Sequence, residues 1–219
     1  MTMTRVGRRN LCLRTAMWLA VCLAVPPASA HAGMEVRAVV GPSFGFADYD
    51  SGGRSLETGN SARIGLYGGF QVVVPVVHPV SIETGVVYGT RGGKTSFDAP
   101  IILGDEYTWQ LDYVSIPALA RWQPAAMYLK AGAVLDLLMR SAYESAVLSS
   151  DFDAAGQDVA LAGAIGVDGR LGEVPVFVEL EGTWGFVDAN AMDGVAEIDI
   201  RNRTIRVGVG MIFESESRR

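Results

Sequence analysis

Val80-Ser81-Ile82-Glu83-Thr84-Gly85-Val86-Val87-Tyr88 changes character at every second residue. Val80, Ile82, Thr84, Val86 and Tyr88 form an apolar or weakly polar set, while Ser81, Glu83, Gly85 and Gly89 form a small and polar one. A period of two places these sets on opposite faces of a strand, where the helical period would mix them. A glycine-broken polar segment follows, then a second run through Tyr113-Val114-Ser115-Ile116-Pro117. Together they read as a long-looped β-hairpin, and the fold turns on which of the two faces points inward.

Working outward, the alternation recurs over residues 36–46, 62–74, 111–122, 128–140, 158–171, 176–186 and 198–213, which with 80–89 predicts eight strands. Residues 128–140 also admit a helix, but Lys130, Asp136 and Arg140 share one parity, which favours a strand. Pro117 lacks an N–H for the ladder and predicts a bulge or irregularity there. The links alternate in length. Short ones at 75–79, 123–126 and 172–175 each contain proline, and long ones fall at 47–61, 91–108, 141–157 and 188–197. Short turns at one end and long loops at the other, with an even strand count, match outer-membrane barrels.

Composition decides the direction of the faces. A soluble, lipocalin-like calyx with an apolar interior would crowd its polar exterior with solvating Lys and Glu. The polar face here is instead rich in glycine, including Gly41, Gly65, Gly69, Gly85, Gly132, Gly166, Gly208 and Gly210. Glycine weakens a strand unless close packing needs the space, and the interior of an eight-stranded barrel is just wide enough for side chains to fill it. The long side chains that share this face are Arg37, Arg63, Glu83, Arg121, Lys130, Asp136, Arg140, Asp168, Arg170, Glu179, Glu181 and Arg206. Their mixed signs predict a structural ion network that plugs the lumen, since an unpaired buried charge is costly. Phe44, Phe46, Tyr88, Trp184 and Phe186 near one rim, with Trp122 and Phe213 near the other, suit two interfacial girdles. The expected fold is therefore all-β, an eight-stranded antiparallel up-and-down transmembrane β-barrel.

The first thirty residues read as a separate segment. Arg5, Arg8, Arg9 and Arg14 precede an apolar core at 16–25, and Ala28-Ser29-Ala30 offers a small-residue cleavage site. This is the pattern of a secretory signal peptide spanning 1–30, which leaves one domain, 31–219. Cys22 after Leu19-Ala20-Val21 offers a lipoprotein signal as the rival, but Val21 is bulky where a small residue is expected. Both cysteines, Cys12 and Cys22, fall in the removed segment, so no disulfide, thiol nucleophile or thiolate metal site is expected in the mature chain. Removing four arginines and no acid takes the formal charge from -6 to -10, which argues against nucleic acid as a partner.

Chemistry finds little support. Nucleophilic catalysis needs a base beside the nucleophile, and the only histidines are His31 at the mature start and His78 in a short link. Glu179 and Glu181 share a face but sit among cations, so pairing is expected in place of acid–base work. Arg91-Gly92-Gly93-Lys94-Thr95 lacks the full spacing of a phosphate loop and reads as a loop tip. The long loops are acidic, and Asp151 and Asp153 suggest Ca²⁺ or Mg²⁺, although no complete ligand loop is present. No catalytic residue, cofactor or metal site is assigned, and the chain is not expected to be an enzyme.

The central stretch resembles the outer-membrane protein β-barrel domain family typified by the PorT-like proteins. The resemblance rests on Glu83-Thr84-Gly85-Val86-Val87-Tyr88 before Arg91-Gly92-Gly93-Lys94, on 111–119, and on Tyr128-Leu129-Lys130-Ala131-Gly132. Ser115 stands where the family pattern commonly has an acidic residue, and the chain runs past Phe213 where many such barrels finish on an aromatic residue. The resemblance implies a membrane barrel in the outer membrane, with some members linked to protein secretion. The partners expected are outer-membrane lipid and proteins met through the outer loops.

Overall fold

The computed structural model describes residues 33–51, 54–55, 60–95, 107–145, 149–151, 156–186 and 198–214. The signal-peptide segment, His31, Asp153 and the acidic residues Asp98, Asp105, Glu106, Asp188, Asp193 and Glu197 lie outside these. The elements in chain order are β1 (Glu35–Ser51), β2 (Arg54–Ser55), β3 (Asn60–Val77), β4 (Val80–Arg91), β5 (Gly93–Thr95), β6 (Tyr107–Trp122), β7 (Met127–Ser145), β8 (Ser149–Asp151), β9 (Gln157–Leu171), β10 (Val174–Gly185) and β11 (Ile198–Glu214). Eight of them are long: β1, β3, β4, β6, β7, β9, β10 and β11. Each pairs antiparallel with the next, and β1 pairs with both β3 and β11, so the eight long strands close into a barrel. Closure leaves every long strand with two neighbours, the condition for burying backbone polar groups in lipid.

The short turns lie at 78–79, 123–126 and 172–173, and both the start of β1 and the end of β11 sit at this end, since Glu35 pairs with Glu214. Six of the eight long strands, all but β10 and β11, run further toward the opposite end than the alternation suggested. β4 continues to Arg91 and β7 to Ser145, and the two-to-three-residue strands β2, β5 and β8 extend the wall beyond them.

The apolar face points outward. Ile64, Leu66, Phe70, Val86, Leu129, Val178, Leu180 and Val209 are exposed, as are Tyr88, Trp122, Trp184, Phe186 and Phe213. Glu83, Glu179 and Arg206 are buried on the inner face, the opposite of a calyx. Glycine on that face makes room for rings: a Cβ at Gly166 would collide with the Tyr128 ring, and one at Gly208 with the Tyr67 hydroxyl.

Two strand details depart from expectation. At Pro117 the pairing with β7 runs on unshifted, and the register with β4 is the same on either side of it. The irregularity lies elsewhere: Asp112 pairs with Arg140 while Tyr113 pairs with Leu138, so Met139 is the extra residue of a bulge in β7.

Candidate functional site in the barrel lumen

Alternation along each strand delivers the inward charges, and their height follows from their distance to the turns. Toward the short-turn end, Arg37 on β1, Glu83 on β4, Arg121 on β6, Lys130 on β7, Asp168 on β9 and Glu179 on β10 converge from six strands. The Arg37 guanidinium donates to both Asp168 oxygens, at 3.0 and 2.8 Å, and also to Glu35 at 2.9 Å. Asp168 Oδ2 further accepts from Arg121 at 3.0 Å and from the Gln123 amide at 2.7 Å. Lys130 Nζ lies between two carboxylates, 2.5 Å from Glu83 and 2.7 Å from Glu179. Glu179 also accepts the Tyr128 hydroxyl at 2.8 Å. The Tyr128 ring lies 3.7 Å from the Arg121 guanidinium carbon, so the cation is held by a π-face as well as by carboxylates.

A second group occupies the outer half. Arg91 grips Asp136 with two bonds of 2.6 and 2.8 Å, and the Ser115 hydroxyl donates to the same carboxylate. Arg206 bonds Glu181 at 3.1 Å and lies 5.2 Å from the Tyr67 ring centre. Arg63, half-buried, reaches the Arg91 carbonyl at 3.0 Å. Apolar side chains share the lining, with Val39, Tyr67, Val87, Phe177 and Ile212 in one cluster and Leu119, Val134, Ala160 and Ala162 in another.

Arg37, Glu83, Arg91, Arg121, Lys130, Asp136, Glu179 and Arg206 are each no more than 3% exposed. Two residues expected on this face are not there. Arg140 is exposed, because the extra residue at Met139 reverses the alternation and Ser141, not Arg140, turns inward. Arg170 keeps its parity but is exposed, because it lies opposite Pro175, one pair short of the 172–173 turn, past the level where the wall encloses side chains.

Arg91 is the residue that sequence reasoning missed. It was expected at a loop tip, whereas it ends β4 and points inward, and the chain turns only at Gly92, whose φ of 120° suits glycine. The inward parity of Ser81, Glu83, Gly85 and Gly89, carried two residues further, was the available signal. Glu179 and Glu181 engage different cations, Lys130 and Arg206, and do not converge on a common point as an acid and base would. Among the described residues, no group of three or more His, Cys, Asp or Glu could hold a metal ion, and His78 lies in an exposed turn.

A search of the curated proteins finds no match. Among solved structures, Ail of Yersinia pestis, determined in complex with the heparin analogue sucrose octasulfate, is similar at 14% identity, with 82% of this chain and 99% of that one covered and a TM-score of 0.40. OprG of Pseudomonas aeruginosa is similar at 13% identity over 84% of this chain and 96% of its own, with a TM-score of 0.45. Neisserial surface protein A is similar at 15% identity over 82% and 97%, with a TM-score of 0.46. The model of the outer membrane protein beta-barrel domain family matches residues 29–190, most of the chain and most of the closed barrel. The chain belongs to the outer membrane protein beta-barrel domain family and is a protein of the outer membrane.

Proposed function

We propose that this chain is a non-enzymatic outer-membrane barrel whose lumen is plugged by its own ion pairs, and that it serves the envelope as a structural and interaction element through its outer loops. One observation carries the reading: charged side chains from six strands meet across the lumen with 3% exposure or less for Arg37, Glu83, Arg121, Lys130 and Glu179. A water-filled passage at that level would wet these groups, and porin-like conduction needs such a passage. Planar-bilayer recording of the refolded chain tests it. The expected trace stays at the lipid baseline, and reproducible single-channel steps in the wild type would overturn it.

Export belongs to the same proposal. Residues 1–30 act as a cleaved signal peptide, and the intact mass of the protein from outer membranes is expected to begin at His31. A mass retaining residues 1–30, or one carrying a lipidated Cys22, would exclude this processing.

A further inference from the structure

In the outer half of the lumen, one stretch of wall carries polar side chains that the chain itself does not satisfy. Asn202, Thr204 and Arg206 are successive inward residues of β11, and Thr183 on β10 lies directly opposite Thr204. All four are no more than 3% exposed. The Thr183 and Thr204 hydroxyls, both polar atoms of the Asn202 amide, and Nε and Nη2 of Arg206 have no hydrogen-bond partner among the described residues. The inner layer differs in kind. Glu83 and Arg121 also leave atoms unbonded there, but each is held through another atom, Glu83 by Lys130 and Arg121 by Asp168. The side chains of Thr183, Asn202 and Thr204 are held through none.

Buried polar groups are almost always satisfied, because a dry one forfeits the hydrogen bond it would make to water. Six such atoms on two adjacent strands outweigh what a marginally stable fold tolerates. Partners must therefore come from outside the chain. An eight-stranded interior that its own side chains do not fill holds a small guest, and this wall is lined by short residues, Thr183, Gly185, Asn202 and Thr204. Charge argues against an ion. Arg206 is the only charged member, and Glu181 offsets it at 3.1 Å. Asn202 presents an unsatisfied donor and an unsatisfied acceptor on one amide, so an ion of either sign would pair with one and oppose the other. A hydroxyl oxygen both donates and accepts.

We infer that Thr183, Asn202, Thr204 and Arg206 form an enclosed binding site for neutral hydroxyl oxygens, those of trapped water or of a small polyol that enters from the outer end. The site goes beyond the plug and does not depend on it: single-channel steps would overturn the plug and leave every outcome below readable.

Isosteric substitution tests the site in the full mature chain, refolded in vesicles and unfolded by urea. Thr183→Val and Thr204→Val each remove a hydroxyl at nearly constant shape. With a guest bound, each variant is expected to show an unfolding equilibrium constant about tenfold larger than wild type. With a dry site, valine relieves an unsatisfied group and the constant falls. Wild-type crystals name the source. Discrete oxygen peaks bridging the four side chains and unchanged by a glycerol soak identify water, and continuous three-carbon density after the soak identifies a polyol. Valine variants as stable as wild type or more so, an empty site in both crystals, or an anomalous peak on Arg206 after a bromide soak would each overturn the inference.

Discussion

Lys130 shows how the lumen treats a charge. Its ammonium group is buried, so desolvation opposes it, and the carboxylates at 2.5 and 2.7 Å compensate. Lys130→Met would leave Glu83 and Glu179 without it, and the expected loss is about 3 to 5 kcal/mol, measured by urea unfolding from vesicles. Lys130→Arg keeps the charge and should cost clearly less, so equal losses would mean packing and not pairing sets the penalty. On the outer face the sign of the environment reverses. Val207→Arg, on the apolar outward face of β11, should cost about 2 to 4 kcal/mol in the same assay, and an effect as small as a surface substitution would mean that position meets water. At this scale the sequence was readable wherever parity held. Glu83, Lys130 and Glu179 could be placed inside from their neighbours' polarity alone, whereas Arg91 was hidden because the glycines after it resemble a loop before the strand has ended.

The strand is the scale at which parity breaks. Eight strands and the direction of their faces follow from a period of two, because each strand separates lipid from a polar interior. A single extra residue leaves no compositional trace, so the β7 bulge at Met139 could not be read, and Pro117 drew the expectation of irregularity to the wrong strand. Proline there is accommodated without a shift in register. The chain has no cysteine beyond Cys22, which makes the bulge testable by labelling. Arg140→Cys should react with a thiol reagent from the detergent or lipid side and Ser141→Cys should stay protected. The reverse pattern would restore unbroken alternation and return Arg140 to the lumen.

Across the whole molecule the charges form two layers in series, Arg37, Glu83, Arg121, Lys130, Asp168 and Glu179 toward the short turns and Arg91, Asp136, Glu181 and Arg206 in the outer half. Each layer is near balance in sign and each spans several strands, so either one alone should block a continuous water path. If the lumen is plugged as proposed, current through the barrel is expected only when both are breached. Arg121→Ala removes the guanidinium stacked on Tyr128, and Arg91→Ala removes the bidentate grip on Asp136. Each single variant, confirmed as folded by gel mobility, is expected to remain at the lipid baseline in planar-bilayer recording, and the double variant alone should show steps. Conduction in Arg121→Ala by itself would mean that the outer pairs leave a passage, and the seal would then belong to the inner layer and not to two barriers in series.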